Sequence, residues 1–402
     1  MRDAIVIGAR CAGATTAVVL ARRGLDVLLV DRAAFPSEIP HGHFIHQSGP
    51  ARLAGLGLLD RVLGTGCPPV TTITTDFGDG PLTGRGLVRD GVPFGLGPRR
   101  GPLDGVLVEA AAAAGAEVRE RFAVDGLVAD RNRVVGVRGR EVVGRRRVTE
   151  HARLVIGADG RNSAVARAVD APLIQSAPTL TCWYFSYWSG VPVDGLLIAA
   201  RQRRVLFAFP THDDLTAIFL AWPIAELPQV RANLHGAFLA ALEVVVPELA
   251  ERVRDGRREE RYAGATQLPN FLRRPHGPGW ALVGDAGCHK DPLLALGLCD
   301  ALRDACLLGE AAGAGLTGSA PLDEALAGYH RRRDEVTLPD YHRNILAAQL
   351  RDKPPDELAL RAALRGRQDD INHFYRVRQA MDSRESFFND DNLARIMAAA
   401  AA

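Results

Sequence analysis

The sequence predicts an α/β fold with three parts. A Rossmann-like domain is discontinuous along the chain, an antiparallel β-sheet domain is inserted into it, and helices follow at the C-terminal end. Two observations lead to this prediction. Apolar strands that end in glycine-containing turns occur far apart, at residues 5–14, 156–165 and 281–297. Between the second and third of them lie segments rich in aromatic and β-branched residues, which are typical of antiparallel strands.

The first of these stretches, IVIGARCAGA, has the pattern of a buried parallel strand, a tight turn and a helix. Gly8 allows the turn and Gly13 lets the helix pack closely on the strand, while the free N–H groups at the helix start favour a pyrophosphate. A second strand over 26–30 ends at Asp31, where a carboxylate is placed to bind a ribose hydroxyl. The predicted dinucleotide contacts in this part of the chain are Gly8, Arg10, Cys11, Ala12, Gly13, Ala14, Asp31 and Arg32.

Arg10 departs from the dinucleotide fingerprint, because it stands where the pattern has its middle glycine. A guanidinium can itself pair with phosphate. We therefore interpret Arg10 as a substitute phosphate contact.

The other two stretches each place a carboxylate at the carboxyl end of an apolar strand. LVIGAD ends at Asp159 and WALVGD ends at Asp285. In α/β folds ligands bind at this edge of the sheet. Asp285 is followed by a loop with Pro292 and Gly297 and then by a helix predicted over 298–312. The three stretches together predict one FAD site built from both ends of the chain.

In these motifs and their spacing, roughly the first 315 residues resemble the flavoprotein monooxygenases of the para-hydroxybenzoate hydroxylase and geranylgeranyl reductase superfamily. The resemblance implies non-covalent FAD, with the first turn at the pyrophosphate and Asp285 on the ribityl chain. It also implies that an arginine followed by Leu-Asp, here Arg100 with Leu103 and Asp104, lies near the flavin. The further cofactor contacts implied are His41, Gly42, Arg100, Asp159, Gly160, Gly284, Asp285, Pro292, Gly297 and Leu298.

The same resemblance implies an FAD-dependent monooxygenase. Such an enzyme inserts one oxygen atom from O2 into a small aromatic or apolar substrate via a flavin C4a-hydroperoxide. NADH or NADPH would be the transient electron donor, since no second dinucleotide fingerprint occurs, or a separate flavin reductase would supply the electrons. Two alternatives stay open: a dehydrogenase or ene-reductase of the geranylgeranyl reductase type, and a flavin-binding redox partner without turnover. Flavin-dependent halogenases share the fold, but their paired-tryptophan motif is matched only in part, by the residues WPI at 222–224.

The catalytic candidates are His43, His46 and Lys290. The two histidines and His41 belong to the segment PHGHFIHQSG, which the resemblance places between the pyrophosphate and the flavin ring. An imidazole there could donate to a phosphate or steer substrate protons, although plain structural hydrogen bonding is the alternative. The segment lacks a carboxylate or cysteine cluster, so we expect no metal.

Lys290 is one of two lysines in the chain, against 49 Lys and Arg residues together. A compact ammonium at this point could balance the negative charge of reduced flavin. A chance surface lysine is the alternative.

The strands of the inserted sheet are predicted at 181–190, 196–201, 204–210 and 215–223. One face of their aromatic residues should pack in a core, and the other should line a cavity over the flavin. Further along, Pro339 and the Pro354-Pro355 pair are expected to break the C-terminal helices. The predicted domains are an FAD-binding domain of 1–70, 97–175 and 270–325, a substrate-binding domain of 71–96 and 176–269, and a C-terminal helical region of 326–402.

Composition agrees with a cytoplasmic enzyme of more than one domain. The chain has 402 residues, of which 47% are hydrophobic, and a net charge of +2, which gives no reason to expect nucleic acid as a partner. The apolar tracts are too short to span a membrane, and the first strand begins too close to Met1 for a cleaved signal. The six cysteines form no C-x-x-C pair, so we expect reduced thiols.

Overall fold

The computed structural model describes residues 1–39, 42–379 and 381–398. Its strands are β1 (Arg2–Ile7), β2 (Val27–Val30), β3 (Pro69–Val70), β4 (Thr72–Asp76), β5 (Leu82–Arg85), β6 (Gly95–Leu96), β7 (Glu117–Arg119), β8 (Phe122–Asp130), β9 (Arg133–Glu141), β10 (Arg147–Gly157), β11 (Leu173–Ala177), β12 (Thr181–Ser189), β13 (Leu196–Arg201), β14 (Arg204–Pro210), β15 (Thr216–Pro223), β16 (Arg257–Arg258), β17 (Ala263–Ala265), β18 (Asn270–Arg273), β19 (His276–Gly277), β20 (Trp280–Leu282) and β21 (Cys288–His289). Its helices are α1 (Cys11–Ala21), α2 (Ser48–Gly55), α3 (Leu59–Leu63), α4 (Arg100–Ala113), α5 (Ala164–Ala168), α6 (Leu227–Ala232), α7 (Leu234–Val245), α8 (Pro247–Asp255), α9 (Gly297–Leu316), α10 (Leu322–Ala347), α11 (Pro355–Leu364), α12 (Gln368–Arg378), α13 (Arg384–Phe387) and α14 (Asp390–Ala398).

A mainly parallel sheet brings together strands that lie far apart in the chain. Its strand order is β19-β20-β10-β1-β2-β7, and β1 pairs in parallel with both β2 and β10. Ile5 lies opposite Leu28 on one side and Val155 on the other, and all three side chains are fully buried. Helices α1, α4 and α9 cover one face, and the antiparallel strands β8 and β9 lie over the other. Strands that are buried on both faces need apolar side chains throughout. This explains the continuous apolar runs that the sequence shows in β1, in β2 and at the end of β10.

A second sheet contains the aromatic strands. Its order is β16-β12-β15-β14-β13-β4-β5, with β17 also paired to β12. In the antiparallel register of β12 and β15, Phe185 lies opposite Phe219. The predicted aromatic strands correspond to β12, β13, β14 and β15, and the mixed α/β architecture confirms the predicted fold class.

Helices α6, α7 and α8 lie within the segment for which the sequence predicted only sheet. In α7 the buried residues Phe238, Ala241, Leu242 and Val245 follow the helical spacing i, i+3, i+4, i+7. They pack on one face of the aromatic sheet, against residues such as Trp222. That face is therefore closed by helices, and only the opposite face is available to line a cavity.

The predicted break at Pro339 is wrong, because α10 continues through this residue to Ala347. A proline inside a helix costs about 3 kcal/mol. Buried contacts on both sides of it offset this cost: Thr337 accepts a hydrogen bond from Arg303, and Asn344 donates to the Asp291 carbonyl. The second expected break is confirmed, since Pro355 is the first residue of α11.

No helix within residues 1–39, 42–379 and 381–398 is both long enough and apolar enough to cross a membrane.

Arg361 attaches the C-terminal helices to the aromatic sheet. It is 1% exposed, and its guanidinium donates to Asp79 Oδ2 at 2.8 Å, Thr75 Oγ1 at 2.7 Å and the Thr75 carbonyl at 2.9 Å. Removing one partner of a buried pair leaves the other charge without compensation. We therefore expect Arg361→Ala to lower the free energy of unfolding by about 3–5 kcal/mol in urea denaturation.

Arg365→Ala is the matched control, since Arg365 also contacts Asp79 but its side chain is 41% exposed. Its loss should stay below about 1 kcal/mol. Equal losses for the two variants would show that Arg361 does not anchor the helices.

Candidate active site

A cavity of about 1010 Å³ lies at the carboxyl ends of the parallel strands. One part of its wall consists of the predicted cofactor motifs. Another part consists of the aromatic face of the second sheet. The motif residues that line it are Gly8, Arg10, Cys11, Ala12, Asp31, Arg32, Gly42, Arg100, Asp159, Gly160, Gly284, Asp285, Pro292, Gly297 and Leu298. His41 lies outside the described residues, and Gly13 and Ala14 are buried in α1 behind the turn.

The first turn depends on two glycines. Gly8 has a φ of +100°, and a Cβ on it would overlap the carbonyl oxygen of Ala158 at the end of β10. A Cβ on Gly13 would overlap the Gly8 carbonyl oxygen. Asp31 stabilises the same turn, because its carboxylate accepts the Ala9 N–H at 2.8 Å. The turn and the end of β10 are therefore in direct backbone contact.

Arg10 lines the cavity, and its guanidinium is already paired within the protein. Its Nη1 lies 2.7 Å from Asp104 Oδ2 and donates to the Ser37 carbonyl at 3.2 Å. Arg100 donates to the same carboxylate at 3.0 Å. Two guanidinium groups therefore share one fully buried carboxylate, and the cluster keeps one net positive charge beside the turn. The phosphate contact expected of Arg10 stays a prediction.

The Asp159 carboxylate organises the turn after β10. It accepts hydrogen bonds from Ser163 Oγ at 2.5 Å and from the Ala164 N–H at 2.7 Å, at the start of α5. By contrast, Asp285 makes no hydrogen bond within the described part of the chain, although it lines the cavity. Its oxygens are therefore free to accept from a ligand.

The loop after Asp285 leads into α9, which begins at Gly297 beside the cavity. No side chain of the described residues caps this helix start. A Cβ on Gly297 would meet nothing within 4 Å, so the cavity reaches the backbone here. Unpaired N–H groups and the positive end of the helix dipole favour negative charge at this position.

Lys290 is part of a buried network and not a surface residue. Its Nζ lies 2.6 Å from Asp300 Oδ2, and Asp300 also pairs with Arg303 at 2.7 Å. Arg303 pairs with Asp304 at 2.8 Å. Although burial alone would lower the pKa of Lys290, the Asp300 carboxylate raises it above its ordinary value. Two cations and two anions balance, so the ammonium brings no net charge to the cavity.

His43 lies on the cavity wall with both ring nitrogens engaged. Nδ1 is 3.1 Å from the Gly97 carbonyl oxygen and Nε2 is 3.0 Å from the Tyr187 hydroxyl. Because a carbonyl can only accept, Nδ1 is the donor and Nε2 accepts from Tyr187. Burial lowers the pKa of His43 to about 3, which is consistent with a neutral ring.

His46 faces away from the cavity. Its Nε2 donates to the Leu294 carbonyl at 3.2 Å, and Nδ1 is buried without a hydrogen-bond partner among the described residues. Burial lowers the pKa of His46 to about 4. The ring connects the segment after β2 with the loop before α9.

Alternation along the strands decides which aromatic residues line the cavity. The lining rings of the sheet are Trp183, Phe185, Phe207, Phe209 and Phe219. Trp188 lies on the opposite face, where it stacks on Phe238 at 5.4 Å between ring centroids. Trp222, the tryptophan of the partial match to the halogenase motif, also lies on that face. These two tryptophans therefore do not contact the cavity.

His289 and Asp291 are among the polar residues of the cavity that sequence reasoning missed. Asp291 accepts hydrogen bonds from the Thr181 hydroxyl, from Trp183 Nε1 at 3.4 Å and from the Leu293 N–H at 3.2 Å. Burial raises the pKa of Asp291 to about 6. The signal in the sequence was that two further titratable residues, a histidine and an aspartate, follow Asp285 closely. The sequence analysis considered only the lysine that stands between them.

The wall fits FAD in shape and chemistry. It has a helix start and a net positive cluster near the first turn for the pyrophosphate, and carboxylates at Asp31 and Asp285 for hydroxyl groups. A second helix start at Gly297 suits the negative pyrimidine edge of reduced flavin. These features extend along one cavity, as a long dinucleotide requires.

The raised pKa of Asp291 predicts a specific pH dependence of stability. A carboxyl whose folded pKa exceeds its unfolded value of 3.8 stabilises the fold below that value, and this stabilisation is lost as the pH rises through about 6. Asp291→Asn removes the titration. From pH 4 to pH 7 its free energy of unfolding should therefore rise relative to wild type by about 2 kcal/mol in urea denaturation.

Asp194→Asn, at an exposed position, is the control and should run parallel to wild type. A constant difference between Asp291→Asn and wild type across this pH range would contradict the raised pKa.

Comparison with known proteins agrees with this geometry. A family profile described as an FAD binding domain matches residues 1–338. Digeranylgeranylglycerophospholipid reductase 2 of Methanothermobacter thermautotrophicus is 29% identical over 348 residues, which cover 82% of each chain. Kynurenine 3-monooxygenase of Salinispora tropica is 27% identical over 365 residues, 83% of this chain and 76% of that protein.

Among solved structures, the myxobacterial chondrochloren halogenase superposes with a TM-score of 0.79 over 99% of this chain and 96% of its own, at 23% identity. That likeness concerns the fold alone. The resemblance to the hydroxylase and reductase superfamily is confirmed, and FAD is the cofactor. The chain is a flavoprotein oxidoreductase and belongs to the FAD binding domain family.

Proposed function

We propose that this enzyme is an FAD-dependent monooxygenase that inserts one oxygen atom from O2 into a small aromatic or apolar substrate. The observation that supports this function best is that cofactor motifs adjoin five aromatic side chains of the second sheet in one continuous cavity. FAD, once reduced by NADH or NADPH, supplies the activation of O2. The aromatic wall keeps water away from that chemistry and offers flat apolar contacts to a substrate.

In this proposal different residues of the chain bind different parts of the cofactor. The start of α1 and the Arg10–Arg100–Asp104 cluster bind the pyrophosphate, while Asp31 binds the adenosine ribose. Asp285, which has free acceptor oxygens, binds the ribityl chain. The start of α9 at Gly297 and Leu298 stabilises the negative charge of the reduced pyrimidine edge.

The substrate end is a rigid aromatic wall. Phe185 stacks on Phe219 at 4.3 Å, and Phe219 stacks on Phe209 at 5.6 Å between ring centroids. His43 packs edge-on against Phe209 at 5.3 Å and fixes Tyr187 by hydrogen bonding. Since both His43 nitrogens are engaged, we assign it a positioning role here. His46 and Lys290 are assigned to positioning the loop before α9, through Leu294 and Asp300 respectively.

An ene-reductase of the geranylgeranyl reductase type is the second candidate. The specific observation in its favour is the 29% identity to the Methanothermobacter reductase over 82% of each chain. An apolar cavity suits an isoprenoid as well as an aromatic ring. The two functions differ in whether oxygen enters the product.

Labelled oxygen separates the two candidates. We expect the FAD-loaded enzyme with NADH or NADPH, under ¹⁸O2, to convert members of a panel of phenols and indoles into products that contain one ¹⁸O atom, detected by mass spectrometry. A flavin reductase added in a parallel reaction tests whether the electrons come from a partner. If only unsaturated isoprenoids react, and their products gain hydrogen but no label, the enzyme is a reductase.

The aromatic wall can be tested by comparing its two faces. Phe209→Ala opens the cavity wall, so water reaches the flavin and hydrogen peroxide released per NADPH oxidised should rise several-fold. Trp188→Ala removes a similar ring from the same sheet, but on the face covered by α7. Its peroxide released per NADPH oxidised should stay at the wild-type value. An equal rise in both variants would point to general loosening rather than to a wetted active site.

A further inference from the structure

The hairpin formed by β9 and β10 is strongly basic and has an apolar tip. Its residues, 133–157, include seven arginines and two glutamates, a net charge of +5, whereas the whole chain carries +2. The turn between the strands reads VVGRRR at 142–147, and in it Val142 is 49% exposed and Val143 is 68% exposed. Neither valine lines the active-site cavity. The proposed function therefore leaves this surface without a role.

Backbone hydrogen bonds fix the tip of this hairpin. The Glu141 N–H donates to the Arg146 carbonyl at 3.0 Å and closes the turn. The Val142 N–H donates to the Arg121 carbonyl at 2.7 Å, which ties the turn to the start of β8. The Arg146 guanidinium also pairs with the Glu141 carboxylate at 2.6 Å. These bonds hold the two valines at the surface, because moving them inward would break the turn.

Strand register gathers the arginines on the outer face of the hairpin. Val137 of β9 is buried, so Arg138 and Arg140, at the alternating positions, lie on the opposite, exposed face. Arg147 of β10 lies directly opposite Arg140. Like charges at opposed positions of a sheet repel each other. Arg140 pairs with Asp125 at 2.6 Å, whereas Arg147 has no ion-pair partner in the described part of the chain.

The cations around the tip are available to a partner. Both glutamates of the hairpin are already paired, Glu141 with Arg146 and Glu150 with Arg119. Free guanidinium groups bind phosphate oxygens in bidentate fashion. The surface is therefore complementary to an anionic partner. Four arginines at or beside the tip are exposed and form neither an ion pair nor a side-chain hydrogen bond with any described residue: Arg121, Arg138, Arg145 and Arg147.

We propose that this hairpin docks the protein on the surface of a bilayer that contains anionic lipid. Val142 and Val143 enter the headgroup region, while Arg145 and Arg147 bind lipid phosphates. A bilayer deforms around a convex tip, whereas the phosphate backbone of a nucleic acid would leave both valines in water. The surface borders the cavity through Arg140 but contains none of the residues assigned to the cofactor. Docking is therefore separate from the oxygen chemistry.

Sedimentation with lipid vesicles tests the docking on the whole, FAD-loaded protein. Wild type should bind vesicles of phosphatidylcholine mixed with phosphatidylglycerol, and should bind pure phosphatidylcholine at least about tenfold more weakly, with binding that weakens as salt is raised. Val142→Ser combined with Val143→Ser keeps the charge and should weaken binding to the anionic vesicles about fivefold. Arg145→Gln combined with Arg147→Gln should weaken it by more than about tenfold.

Arg203→Gln combined with Arg351→Gln is the matched control, since it removes two exposed arginines far along the chain from the hairpin, and it should bind as wild type does. The FAD content and melting temperature of every variant should match those of wild type.

The proposal is overturned if wild type does not bind the anionic vesicles, if the control loses as much binding as the tip variants, or if serine at both valines changes nothing. Equally tight binding to soluble polyglutamate would indicate an acidic protein as the partner and would also reject the bilayer. None of these measurements involves O2 or turnover, so they are independent of the test of the monooxygenase function.

Discussion

The parallel pairing of β1 with β10 is the constraint on which the rest of the site depends. It brings Gly8 into backbone contact with Ala158, so the first turn and the Asp159 turn share one wall. Pairing of β10 with β20 then brings Asp285 and the loop before α9 to the same sheet edge. A side chain at Gly8 would force β1 and β10 apart. The cavity exists because three distant strands end together, and each of their turns is small enough to let the backbone approach.

Charge is distributed unevenly along this cavity. Near the first turn, Arg10 and Arg100 share Asp104, which leaves one net positive charge beside the turn that we propose as the pyrophosphate site. Near α9, the cations and anions of the Lys290 network cancel, and the helix start supplies only a partial charge. A partial charge suits a flavin that alternates between neutral and anionic forms, because a full buried charge would favour one state strongly. The two ends of the cavity therefore differ in electrostatics as the two ends of the cofactor do.

The sequence predicted the strands well and the side-chain environments less well. Strand runs such as 204–210 are set by local apolar and aromatic composition, and β14 has these bounds. Which face of a strand meets the cavity depends on what covers the other face, and α7 and α8 went unrecognised within a segment assigned to sheet. Trp188 and Phe209 were therefore indistinguishable before the packing was known. Pro339 shows the same limit, because tertiary contacts of α10 outweigh a local preference for a break.

Histidine chemistry was the least predictable feature, for a physical reason. Three histidines after β2 attract attention by their number, but the reactivity of an imidazole depends on which of its nitrogens is already bonded. Both nitrogens of His43 are hydrogen-bonded, to Gly97 and Tyr187, which lie 54 and 144 residues away in sequence. In His289 one nitrogen, Nδ1, is hydrogen-bonded to the Pro269 carbonyl oxygen, and the other has no partner among the described residues. Neither assignment follows from the local sequence, since each depends on a carbonyl or hydroxyl brought in by another strand. The hydrogen bonding of each imidazole is thus set by how strands from distant parts of the chain meet.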